Sequence, residues 1–162
     1  MSFLCNKHLA KCDADPEMAL DKWDSCMKKA IALFEKQHYR QSIPFIGAGF
    51  DIATLLIKKS RTDTSELSSF DRLLLAGHAL AECYRRLGDT AAERRFLLAT
   101  HYHLMHQLNH EPLNAYELKQ PLEISLRTLK AHYKAHNEFS QFDQCYTRDK
   151  AKLNKIRRPV LH

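Results

Sequence analysis

The residues best equipped for chemistry lie in one run, His101-Tyr102-His103-Leu104-Met105-His106-Gln107-Leu108-Asn109-His110. His103, His106 and His110 fall at i, i+3 and i+7, so a helix puts them on one face, opposite Leu97, Leu104 and Leu108. Three imidazoles so spaced suit zinc or nickel. No H-E-x-x-H is present and no carboxylate completes the set, so the run reads as a solvated polar face. Cys5, His8 and Cys12 also share a helical face and lack a fourth ligand. With Cys26, Cys83 and Cys145 the cysteines number five, an odd and scattered set without C-x-x-C. They read as reduced thiols of a cytoplasmic protein. Gly47 and Gly49 make a lone G-x-G with no strand before it, so they read as close-packing points between helices rather than a phosphate loop. No nucleophile elbow, P-loop, paired-carboxylate motif or kinase signature occurs. The sequence requires no metal and no cofactor.

The elements that would position these residues are helices. Glycine (4) and proline (5) are too scarce in 162 residues for the repeated turns of a β-sandwich. No apolar run reaches the length of a membrane span. Asp15-Pro16-Glu17 reads as a helix start, with an N-cap acid and a proline at the first helical position. Ala19, Trp23, Cys26, Met27, Ala30, Leu33 and Phe34 follow at helical spacing. A break at Lys36-Gln37-His38 leads to a second stripe of Tyr39, Ile43, Ile46, Phe50, Ala53 and Ile57, with Pro44 expected in its first turn or at a kink. Ser60 to Ser69 reads as a polar loop, and Ser68 with Asp71 resembles a capping box. Phe70, Leu73, Leu74, Gly77, Ala81, Tyr84 and Leu87 form the third stripe, closed by Gly88-Asp89. A helix from Thr90 to Leu108, a loop from Asn109 to Gln120, a helix opened by Pro121 and a last segment from Phe139 complete the chain. The expected fold is all-α, with six main helices in three antiparallel hairpins, in one domain over residues 1–146. Residues 147–162 read as a basic tail. From Tyr146 onward six bases face one acid, which accounts for +5 of the formal +6 charge.

The hairpins repeat. Cys26, Ala30, Leu33 and Tyr39 align with Gly77, Ala81, Tyr84 and Thr90, and with Leu126, Lys130, Tyr133 and Phe139. Leu80-Ala81-Glu82-Cys83-Tyr84-Arg85-Arg86-Leu87-Gly88-Asp89 resembles the first-helix-to-turn pattern of tetratricopeptide (TPR) proteins, and Ala30-x3-Phe34-x4-Tyr39 is a weaker copy. The resemblance covers about residues 20–155, with a period near 50 rather than 34. It implies stacked hairpins whose first helices line a groove. That groove would present Met27, Ile31 and Phe34, then His78, Glu82 and Arg85, then Arg127 and Lys134. An apolar end and a basic end suit a protein or peptide partner with an acidic portion. The expected function is a non-catalytic adapter or small chaperone.

The alternative is a nucleic-acid protein. Arg127-Thr128-Leu129-Lys130-Ala131-His132 resembles the R-x4-H pattern of the HEPN family of all-α ribonucleases. The resemblance implies metal-independent RNA cleavage at a dimer cleft, with His132 as base and Arg127 steadying the phosphate. Arg72 with His78 and Arg94 with His101 fit looser versions of the same spacing. The basic tail offers a second route to nucleic acid through phosphate contacts.

Overall fold

In the computed structural model, residues 2–59, 66–111 and 115–158 are described. They form seven α-helices: α1 (Asn6–Ala14), α2 (Pro16–Glu35), α3 (Tyr39–Lys59), α4 (Ser69–Arg86), α5 (Thr90–His110), α6 (Ala115–Ala135) and α7 (Phe139–Asn154). There is no strand among the described residues, as the all-α expectation required. No described helix is long and apolar enough to cross a membrane. The chain divides into two compact units, Met1–Phe96 and Leu97–His162.

Side-chain caps set the helix starts. The Asp15 carboxylate accepts from the Met18 N–H at 3.0 Å, with Pro16 just inside α2. Ser68 Oγ accepts from the Asp71 N–H at 3.1 Å and donates to the Asp71 carboxylate at 2.7 Å, so α4 opens on a reciprocal pair. Asp89 accepts from the Ala92 N–H at 2.9 Å and opens α5.

Three turns share one design. Gln37, Gly88 and Asn137 carry φ of 60°, 77° and 57°, the left-handed region that ends helices. In each turn the next N–H reaches back five residues: His38 to the Leu33 carbonyl, Asp89 to Tyr84 and Glu138 to Tyr133, all at 2.9 Å. The joined helices meet through aromatic rings. Phe34 meets Tyr39 edge-on at 5.0 Å, Tyr84 stacks on Phe96 at 5.5 Å and Tyr133 stacks on Phe142 at 4.7 Å.

In the first unit α3 packs against both α2 and α4. Gly49 lets the two helices close: a Cβ there would lie 2.9 Å from Met27 Sδ. Ser42 Oγ donates to the Ala30 backbone carbonyl oxygen at 2.9 Å and ties α3 to α2. Gly47 does a different job from the expected helix–helix contact, because its missing Cβ makes room for the Phe3 ring. The Asp51 carboxylate holds that arm, accepting from Ser2 Oγ at 2.9 Å, the Phe3 N–H at 2.6 Å and the Leu4 N–H at 2.8 Å. Trp23, Ile46, Phe50, Ile52, Leu73, Leu80 and Phe96 build the core; Leu80 is fully buried and Tyr84 half-buried. In the second unit α6 packs on α7, and Leu104, Leu118, Leu122, Leu126, Leu129 and Leu153 supply the core.

Several expectations fail. Pro121 lies inside α6, which begins at Ala115, so the loop expected up to Gln120 is shorter; residues 112–114 lie outside the described set. Leu118 is fully buried and draws the preceding turn into the helix. Pro44 takes the second of its two expected placements, inside α3 at the sixth position rather than in the first turn. Each proline leaves a carbonyl without its helical donor, and the residues concerned, Arg40 and Glu117, are exposed to water. The tail boundary at residue 147 also fails. Residues 147–154 belong to α7, where Asp149 and Leu153 are buried. Most of the loop expected at 60–69 lies outside the described residues, and Ser69 opens α4.

The turns give a direct test. A side-chain-bearing residue in the left-handed region costs about 1–2 kcal/mol. Gln37→Gly should therefore raise stability by about 1 kcal/mol, and Gly88→Ala should lower it by about as much. Urea unfolding midpoints read both.

Candidate functional sites: an apolar cleft, a basic cleft and a buried polar trio

The first unit has an apolar cleft of about 170 Å³ between α2 and α4, floored by Ile46 of α3. Met27, Ile31 and Phe34 wall it from α2, and Ala79 and Glu82 from α4. Helical spacing explains this: 27, 31 and 34 repeat at i, i+4 and i+7 on one face. Four residues expected at a groove are thus brought together. Met27 is buried, whereas Ile31 is 54% exposed at the mouth. Leu75, one helical repeat before Glu82 on α4, is 49% exposed. Ile31 is thus a large apolar side chain facing water at the mouth of an apolar cleft.

The rim is charged but internally paired. Arg85 donates to both Glu82 oxygens, at 2.6 and 2.5 Å, and Arg86 donates at 2.7 Å. Hydrogen bonding to Arg85 holds the Glu82 carboxyl below its ordinary range. Arg85 was expected to be free for a partner's carboxylate; it is already engaged, and the trio carries one surplus positive charge. His78 also departs from expectation. It is half-buried, and its Nε2 is buried with no hydrogen-bond partner among the described residues. Burial pushes the imidazole down to about 4, so it is neutral at pH 7.

The second unit carries the two remaining groove candidates. Arg127 is exposed and lines a cleft of about 420 Å³ with Glu123, Leu126, Lys130, Tyr146 and Lys150. Lys134 lies over the Phe139 ring at 5.4 Å. His132 is buried, with its ring 5.7 Å from Tyr133 and 4.7 Å from His136. Five helical positions turn a side chain by about 140°, so Arg127 and His132 occupy different faces. In the histidine run His106 and His110 are exposed and stack at 4.0 Å and His103 is half-buried, while His101, outside that trio, turns inward. Of the other set, Cys5 Sγ lies 3.0 Å from His8 Nδ1 at the surface, while Cys12 is buried, so two of its three members meet. All five cysteines are free thiols.

Inside the second unit three residues meet that sequence spacing alone does not bring together. His101 Nδ1 lies 3.1 Å from Ser125 Oγ, and its Nε2 lies 2.9 Å from Asp149 Oδ2. The order serine, imidazole, carboxylate is that of a hydrolase relay. Exposure decides its role. Ser125 and His101 are 0% exposed and Asp149 is 1%, so no substrate carbonyl reaches Ser125 Oγ. The trio is a polar pin joining α5, α6 and α7. Burial pushes the Asp149 carboxyl up, but hydrogen bonds from His101 and from Arg148, at 3.0 Å, outweigh it and leave it at about 2. An ionised carboxylate only accepts, so Nε2 carries the proton that faces it. Cys145 Sγ donates to the same carboxylate at 3.5 Å.

No family model, no curated protein and no solved structure matches this chain.

Two pH effects follow. The depressed Asp149 pKa means that its stabilisation is present above about pH 4 and fades as pH falls toward 2, a loss of roughly 2 kcal/mol. Asp149→Ala, which strands His101 inside the core, should cost about 3–5 kcal/mol at pH 7 by urea unfolding. His78 acts over a higher window. The unfolded imidazole takes a proton near 6.5 and the folded one near 4, so stability is lost as pH falls between these values. His78→Leu should flatten the wild-type decline in urea midpoint between pH 6.5 and pH 4.

Proposed function

We propose that this chain is a non-catalytic adapter or small chaperone that seats an apolar side chain of a partner protein in the α2–α4 cleft. The arrangement it would use is TPR-like: stacked hairpins whose first helices face the partner. Three turns of one design, at Gln37, Gly88 and Asn137, support that reading. The observation that carries the function is the exposed Ile31 beside the apolar cleft of Met27, Phe34 and Ile46. A cleft of about 170 Å³ accepts one or two anchoring side chains rather than a folded domain. Such anchors are spaced at i, i+3 or i+4 on an amphipathic helix, which lays its apolar face in a groove. The surplus charge of Glu82, Arg85 and Arg86 favours an acidic residue beside the anchor. Five free thiols suit a reducing compartment, which supports a cytoplasmic setting for the adapter. The ribonuclease alternative draws less support, since it needs His132 as an accessible base and that ring is buried.

A photo-crosslinking residue at position 31 should capture the partner, which is then identified and purified. Binding to the purified partner should fall at least tenfold for Ile31→Asp. Its melting temperature should stay close to wild type, because exposed substitutions usually change stability by no more than about 0.5 kcal/mol. Tyr116→Asp, at a residue 47% exposed in the second unit, should leave binding unchanged. Wild-type affinity in the Ile31→Asp variant overturns the reading.

A further inference from the structure

We infer that the α6–α7 cleft of the second unit is a binding site for a small phosphate-bearing anion. The inference is independent of the partner cleft in the first unit. Its basis is the convergence of three cations on one concavity. Arg127 and Lys130 come from α6 and Lys150 from α7, and the cleft they share measures about 420 Å³. Helical spacing aligns them: 123, 127 and 130 fall at i, i+4 and i+7, and 146 and 150 at i and i+4.

Among the described residues no carboxylate forms an ion pair with any of the three cations. Glu123 lines the cleft without pairing to them. Asp149, next to Lys150 in sequence, is buried and taken by His101 and Arg148. Lys130 is held by an aromatic ring instead. Its Nζ sits 4.6 Å over the Tyr146 ring and donates to the Tyr146 hydroxyl at 3.5 Å. A cation–π contact fixes the ammonium and leaves its charge uncancelled. Three like charges in one concavity repel each other, and a concave wall focuses their field. A bound anion relieves that repulsion, so the cleft gains from occupancy.

Charge and size select the ligand class. Three cations against Glu123 leave the lining at +2. A phosphate monoester carries about −1.5 to −2 at pH 7, whereas a carboxylate carries one charge. The arginine offers a planar fork and the lysines point charges, a mixture suited to a group with several equivalent oxygens. The volume falls in the range of small-molecule sites, about 300–1,000 Å³, and admits a pyrophosphate or a nucleotide. Glu123 opposes the anion itself and would accept a hydrogen bond from a ligand hydroxyl.

Isothermal titration calorimetry of the full chain with inorganic pyrophosphate, at low salt, tests the site. One saturable equivalent should bind and raise the melting temperature. Arg127→Gln with Lys150→Gln should weaken binding at least tenfold. Lys152→Gln with Lys155→Gln removes the same charge from exposed positions of the same unit and should change binding less than twofold. Glu123→Gln should tighten binding severalfold, a gain that a misfolded variant cannot imitate. Citrate tests the carboxylate class and a twelve-residue oligothymidylate tests a nucleic-acid backbone. The proposal is overturned by an absence of saturable binding, by equal losses in the two double variants, or by citrate matching pyrophosphate. Oligonucleotide binding that grows with length and far exceeds pyrophosphate also overturns it.

Discussion

The structure depends on one local device, a helix reversal made through a single left-handed residue. A helix leaves its last carbonyls without intrahelical donors. In each of the three short turns the chain answers with an N–H that reaches back five residues, to Leu33, Tyr84 or Tyr133. The bond fixes the angle at which the next helix departs and the phase of its side chains. The aromatic pairs Phe34–Tyr39, Tyr84–Phe96 and Tyr133–Phe142 then lock the joined helices. With the phase of α2 set by its cap at one end and its turn at the other, Met27, Ile31 and Phe34 have one face to occupy. The apolar cleft is a consequence of that phase.

The device was legible where the chemistry is local. Asp15, Ser68 and Asp89 are short polar side chains at helix starts, and each accepts from an N–H three residues on. Gly88 announces a left-handed residue because only glycine adopts it without cost. Gln37 and Asn137 do the same work with side chains attached, so the first turn showed only as a break between stripes and the third only as the start of a new segment at Phe139. Pro121 misled for the converse reason. A proline is read as a helix start because it lacks an N–H, yet burial of Leu118 and Leu122 on either side outweighs one missing bond. Local propensity lost to tertiary packing there.

The buried trio was invisible for a different reason. His101, Ser125 and Asp149 lie on three helices, and no short spacing links them. A signal was nonetheless present in the phase of each helix. His101 falls in step with Leu97 and Leu104, Ser125 with Leu118 and Leu122, and Asp149 with Phe142 and Leu153, all buried. Three polar residues on three apolar stripes must find one another or remain unpaired, and an unpaired polar group in a core is costly. A buried ionic group of this kind contributes little net stability against an apolar replacement. Its effect is on register. Sliding any one helix by a residue would strand a buried polar group, so the pin specifies one packing of α5, α6 and α7.

The same helical phase corrects the distribution of charge. By count, the positive excess begins near residue 146 and suggests a solvated tail. On α7 those residues divide by face. Asp149 and Leu153 turn inward, Lys150 faces the cleft shared with Arg127 and Lys130, and Lys152 stays in solvent. Drawing Asp149 into the core also removes the one acid among the bases of that stretch, leaving Lys150 without the neighbour that a linear reading would give it. The charge of this segment is therefore structured. An acid spent on holding three helices together leaves a cation uncompensated one residue away, and the polar pin and the basic cleft are two faces of the same helix.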